Sequence, residues 1–240
     1  TVPEVSLKYQ AYIFNGFASY NDGSHLISAS NGLRKGRQKG AKSFISTPNV
    51  SAKVEYYGLL GLNLGLSTYV GKTQSTLYNG IEKSNTTDVA IADSSVVGVA
   101  MFGLDARYRR KGFELRGQVY YVSMSNTLQY NNFQTGTDGP NNVGESMYGY
   151  YVELSYDVFR SFDKINSQLI PFVRYSNYDT QLSVADGINK SDAYQSTVVT
   201  TGLSWKITSG VALKSDFQFI KNHASDKYIN TFNAGVAVWF

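Results

Sequence analysis

The densest chemistry in the sequence is a run of bases, Arg34, Lys35, Arg37, Lys39 and Lys42, spaced by Gly36 and Gly40 and containing no acid. Cations crowded on a glycine-rich segment concentrate anions, and beside a pore they would set an anion filter. On a solvated loop the same bases would instead offset anionic lipid head groups. Acid–base chemistry has few other carriers. The two histidines, His25 and His223, have Asp22 and Asp226 near them in sequence, and an imidazole beside a carboxylate can activate water or a serine. Their spacing resembles no protease motif, and histidines in polar segments are ordinarily solvated bystanders. Cysteine is absent, so neither a disulfide framework nor a thiolate metal site is available. Asp88, Asp93, Asp138 and Asp186 fall in polar stretches and could meet Ca²⁺, but scattered loop acids define no metal site. Asn85-Thr86-Thr87 and Asn189-Lys190-Ser191 fit a eukaryotic glycosylation pattern and suggest no further role. The expectation is a protein that is not an enzyme, uses no cofactor or metal, and acts through its charges.

The elements that must position these charges are strands. Val5–Phe17 alternates Val5, Leu7, Tyr9, Ala11 and Ile13 with Ser6, Lys8, Gln10 and Tyr12, the period of a strand with one apolar face. The same alternation recurs from Val50, from Leu62, over Val96–Tyr108, from Phe113, from Tyr148, from Leu169, from Val199 and from Val211, and it ends in Asn233–Phe240. Ten strands are expected. Pro171 calls for a bulge or an early-strand position, because it has no backbone donor. Long polar stretches (19–48, 74–94, 125–145, 182–194 and 222–230) alternate with short turns at 58–61, 109–112, 161–166 and 208–210. Asp138-Gly139-Pro140 is a further turn signal.

Composition fits strands that cross a membrane. No apolar run approaches the roughly 18 residues of a spanning helix, and mean hydropathy is −0.25. Barrel strands need no such run, since lipid-facing and lumen-facing residues alternate. Nineteen tyrosines suit an interface that is apolar on one side and wet on the other. Tyr56, Tyr108, Tyr156, Trp205 and Phe240 are expected in one aromatic belt, and Tyr69, Tyr121, Tyr175 and Phe219 in the other. A net charge of +4 gives no reason to expect nucleic acid. Long loops outside and short turns inside imply a single all-β domain over residues 1–240. It would be an antiparallel up-and-down transmembrane β-barrel in the outer membrane of a Gram-negative bacterium, with both termini periplasmic. Thr1-Val2-Pro3 reads as the start of a processed or truncated chain.

Several segments carry a resemblance to a family. They are Asn15-Gly16-Phe17, the run from Asn31 to Gly40, Tyr56-Tyr57-Gly58-Leu59-Leu60-Gly61-Leu62, Leu64-Gly65-Leu66-Ser67, Gly71-Lys72-Thr73-Gln74 and Pro171-Phe172-Val173-Arg174-Tyr175. Together with the closing strand they resemble the C-terminal part of porins related to the phosphate-selective porin O/P group. Asn233, Gly235, Val238 and Phe240 match the C-terminal signal that the barrel-assembly machinery reads. The resemblance implies trimers of about 16-strand barrels, so either ten strands close here or further N-terminal strands complete the wall. The expected function is passive diffusion of small hydrophilic solutes with an anion, phosphate-like preference. The alternative is a non-conducting structural barrel that serves as subunit or anchor in a larger envelope assembly; an outer-membrane protease or lipase is the minor one. Expected partners are outer-membrane lipid and lipopolysaccharide, the assembly machinery, and a homotrimer or larger complex. The inward charges expected from the alternation are Lys8, Lys53, Arg107, Arg116, Arg174, Lys206 and Lys214, against Glu55, Asp105, Glu114, Glu153, Asp157 and Asp216.

Overall fold

A computed structural model describes residues 5–133 and 141–239. The turn expected at Asp138-Gly139-Pro140, the start Thr1-Val2-Pro3 and the terminal Phe240 lie outside the described residues. Ten strands form one antiparallel meander: β1 (Leu7–Asn15), β4 (Pro48–Leu59), β5 (Leu62–Lys72), β7 (Gly98–Arg110), β8 (Phe113–Ser125), β9 (Ser146–Tyr156), β10 (Gln168–Ser183), β11 (Gln195–Thr208), β12 (Val211–Asn222) and β13 (Tyr228–Val238). Three short strands, β2 (Ala18–Asn21), β3 (Ser24–His25) and β6 (Gln74–Ser75), make a separate small sheet. The large sheet is open: among the described residues β1 pairs only with β4, and β13 only with β12.

Short turns hold the register. Arg110 pairs with Phe113 across Lys111 (φ 50°) and Gly112 (φ 83°). Two successive positive φ values are what a two-residue hairpin needs to follow the strand twist, and glycine takes the second without strain. Pro171 sits where β10 already pairs with β11 but before its pairing with β9 begins at Phe172. That is the early-strand position in which a missing donor costs nothing. The expected alternation of long and short connections weakens toward the C-terminus. Residues 157–167 form as long a link as 184–194, and 223–227 is shorter than either.

The long stretches are not bare loops. They contain helices α1 (Thr86–Ser94) and α2 (Thr127–Asn132) besides the small sheet. Asn85 is the N-cap of α1, its side-chain oxygen accepting from the Asp88 N–H at 3.2 Å; its role is structural.

The two faces of the large sheet are inverted relative to a water-soluble protein. Leu104 is 57% exposed and Val152 50%, whereas Glu153 is 5% and Thr200 8% exposed. The apolar residues form a continuous band, with Leu66, Leu104 and Val119 adjacent on three strands and Val152, Tyr175 and Val199 on three more. Tyr56, Tyr156 and Trp205 stand on this face toward the short turns, and Tyr121 and Phe219 toward the loops, as expected of two belts, whereas Tyr175 stands at the middle of β10 within the apolar band. Tyr69 departs from its belt. It lies on the polar face, buried against Phe14 and Phe17, with its hydroxyl donating to Asn49 Oδ1 at 2.8 Å.

Candidate functional site: a charged sheet face under a loop cap

The polar face is organised from one end to the other. Toward the short turns it carries alternating charges. Lys53 lies 3.0 Å from Glu55 and 2.7 Å from Asp105, and Lys8 reaches Glu55 at 3.8 Å. Glu114 accepts from Arg107 at 2.9 Å and from Arg109 at 2.7 Å. Glu153 is clamped between Arg116 at 2.5 Å and Arg174 at 2.6 Å, and Arg174 also stacks over the Tyr151 ring. The Glu153 pairs are direct cross-strand neighbours, Glu153 sitting opposite Arg116 on β8 and Arg174 on β10, whereas Lys53 meets Glu55 along its own strand and reaches Asp105 across β5. Most are about a third or more exposed, so each stabilises by no more than roughly 1 kcal/mol. The triad around Glu153 is the exception, because its carboxylate is buried.

Among the expected inward bases, Lys206 and Lys214 form no ion pair among the described residues. Lys214 instead lies over the Phe172 ring, 4.8 Å from its centroid. Asp216 accepts from Asn233 Nδ2 at 2.9 Å, so one residue of the expected C-terminal signal is tied to the polar face. Gly235 faces Lys214 on the same side, and Val238 lies on the apolar face opposite Val211. Asp157 was expected among the inward charges but caps a turn instead: its carboxylate accepts from the backbone N–H groups of Phe159 and Leu169, each at 3.2 Å.

Toward the long loops the polar face becomes apolar. Tyr69, Val99, Val122, Met124 and Met147 stand there, and the loops cover them with Ile27, Tyr130 and Val143 in one buried cluster. The first long stretch, which carries the basic run, therefore folds over the charged face rather than away from it. It also reaches far across the sheet. The Ala29 carbonyl accepts from Thr180 Oγ1 on β10, and Ala29 N–H donates to Asn142 at 3.1 Å. Tyr130 ties the cap together by donating to the Ser19 carbonyl at 2.9 Å, and burial pushes its pKa up, which keeps the hydroxyl a donor. Tyr130→Phe takes a donor from the Ser19 carbonyl, which keeps the Leu26 N–H at 2.8 Å, and from the Ile27 carbonyl, 3.4 Å away. It is expected to cost about 1 kcal/mol, read as faster amide hydrogen exchange over residues 19–27 with strand protection unchanged.

Arg34, Lys35, Arg37, Lys39 and Lys42 are all exposed, and none forms an ion pair among the described residues. Between them Gln38, invisible as a functional residue in the sequence, fixes the backbone. It donates to the Gly16 and Phe44 carbonyls at 2.9 and 3.0 Å and accepts from Phe44 N–H at 2.8 Å. Gly36 is pressed against the Ala18 carbonyl, which a side chain there would strike. The cations are thus presented on a pinned loop.

The histidines differ from expectation in one case. His25 is no solvated bystander: it packs edge-on against Tyr20 and Tyr130, each 5.3 Å away, and its Nδ1 meets Asn141 at 2.6 Å. His223 is exposed, 3.3 Å from the Thr197 hydroxyl. Neither meets Asp22 or Asp226. Asp93 accepts from Tyr78 at 2.6 Å, Asp88 belongs to the cap of α1, and Asp186 is exposed. No group of three or more potential metal ligands occurs among the described residues.

No family model matches the chain. The chain is 25% identical over 237 residues to an uncharacterized protein of Aquifex aeolicus (strain VF5), covering 97% of this chain and 50% of that protein. It thus spans about half the length of the curated relative it matches. Among solved structures it is similar to LpxR from Salmonella typhimurium, at 12% identity and a TM-score of 0.34, covering 81% of this chain and 73% of that one. The expectation that this protein is not an enzyme is corrected by this comparison. The exclusion of enzymatic activity is accordingly withdrawn. At that TM-score the likeness assigns no reaction either.

Proposed function

We propose that the chain forms wall strands of a bacterial outer-membrane β-barrel that lets small hydrophilic solutes diffuse, with a preference for anions. The observation that carries this reading is the inversion of the two faces. A band of exposed Leu, Val, Phe and Tyr would destabilise a protein in water but matches the lipid-facing surface of a barrel. In lipid no strand edge can stay unpaired, so the open edges of β1 and β13 require partners. Strands beyond these ten meet that need, for which a relative of twice the length has room. Closure of β1 directly onto β13 is the other solution. The long loops would then lie outside with lipopolysaccharide beside them, and the C-terminal signal residues would engage the assembly machinery.

Selectivity in this reading comes from the pinned basic loop and the charges below it. Single-channel recordings of the purified protein in planar bilayers test it. The triple variant Arg34→Glu, Arg37→Glu, Lys39→Glu is expected to move the reversal potential in a salt gradient toward cation preference. An unchanged reversal potential would sink the loop's role.

The loop cap favours a second reading, a non-conducting barrel that serves as subunit or anchor in an envelope assembly, because its buried cluster fills the loop end of the polar face. A purified protein that inserts but passes no current, with stable heterologous partners in detergent, would favour that reading.

A further inference from the structure

At the short-turn end of the polar face, two adjoining cavities of 190 and 320 Å³ share Arg109, Glu114, Ser155, Ile170 and Lys206 in their walls. Their charge is strongly one-sided. The carboxylates in their walls are already engaged, Glu114 by two guanidinium groups, Glu153 by two more, and Asp157 by the backbone N–H groups of Phe159 and Leu169. Lys206 and Lys214, which line the smaller cavity, have no carboxylate partner among the described residues. A surplus of cations beside satisfied acids, in a recess that solvent reaches and whose Arg109 side chain is 59% exposed, attracts an anion.

The recess is not purely polar, and that narrows the ligand. Ile170 and Phe172 are apolar residues on a face whose neighbouring positions hold Ser155, Gly202 and Ser204. The Phe172 ring lies across Gly202, where a Cβ would stand only 2.7 Å from Phe172 Cζ. Glycine there leaves space for the ring to lie along the wall, and Lys214 sits over that ring. The lysine ammonium therefore lies against the aromatic face, with the Ser204 backbone paired opposite both Ile170 and Lys214. The smaller cavity falls below the roughly 300–1,000 Å³ typical of drug-sized ligands.

We propose that this recess binds small aromatic carboxylates, the carboxylate between Lys206, Lys214 and the Arg109 side and the ring against Phe172 and Ile170. A fully hydrated inorganic anion would gain the charge but leave the apolar wall unused. The site deepens the diffusion reading by naming a solute class, yet its test is equilibrium binding and does not need a conducting pore.

The probe is 4-fluorobenzoate, followed by ¹⁹F NMR with the full chain in detergent micelles. Saturable broadening is expected, reversed by benzoate but not by equimolar orthophosphate, and absent with neutral 4-fluorobenzyl alcohol. Lys206→Gln with Lys214→Gln should weaken binding roughly tenfold, the loss of a charge-assisted contact. Phe172→Leu, which keeps every charge, should weaken it less. Failure of the parent protein to saturate, equal displacement by orthophosphate, or an affinity unchanged in the double lysine variant would each overturn the proposal. A protein that binds the probe but passes no current would overturn the channel reading and leave this site standing.

Discussion

Glu153→Gln is expected to lower the stability of the folded protein by about 2 kcal/mol, seen as a lower urea midpoint in lipid vesicles. Among the described residues Glu153 is the most buried of the carboxylates that pair with guanidinium groups on the charged face, and it pairs with two of them at once. Removing one member of a buried ion pair leaves an uncompensated charge, which typically costs about 3–5 kcal/mol. Here the arginine side chains are 35% and 32% exposed, so water solvates part of what is left and the estimate is reduced accordingly. Glu55→Gln is the internal comparison. Glu55 is 33% exposed, and its partners Lys53 at 3.0 Å and Lys8 at 3.8 Å are 31% and 49% exposed, so its loss should cost about 1 kcal/mol or less. Equal midpoints for the two variants would show that the clamp is solvated and that the wall has no dry charge cluster.

The contrast between these two glutamates also marks what the sequence could and could not tell. Both occupy the same kind of position, an acid alternating with apolar residues, so period-2 reading puts both on the polar face and ranks them equally. Burial depends on cross-strand neighbours: Glu153 lies between Arg116 and Arg174, a register that alternation alone does not supply. Strand positions and faces were legible because one side chain in two must meet each environment. The cap was not. It is held by Gln38, Gln74 and Asn131, whose amides satisfy loop backbone groups, and an amide in a polar stretch has no periodicity to betray it. A signal was nonetheless present. Val99, Val122, Met124 and Met147 are apolar residues in register with the charged positions of their strands, all near the long connections. Apolar side chains on the nominally polar face require a cover, and only the loops can supply it. Tyr69 belongs to the same group, which is why it left the aromatic belt.

Leu104→Arg is expected to lower stability in bilayers by about 2–4 kcal/mol, the cost of a cation at mid-depth on the lipid face of a barrel. Leu104 is chosen because it stands at the middle of β7, between Leu66 on β5 and Val119 on β8, and is 57% exposed. An exposed leucine is nearly free to mutate in a water-soluble sheet, where arginine would change stability by no more than about 0.5 kcal/mol and improve solubility. The two environments therefore predict opposite outcomes for one substitution. Folding into vesicles, followed by urea titration, reads the difference directly. Gln118→Arg, on the polar face of β8, controls for bulk and charge: directly opposite Asp105 on β7 it should be tolerated if that face lines water. A Leu104→Arg protein as stable as its parent would remove the membrane from the account and return the exposed apolar band to being a surface for protein partners.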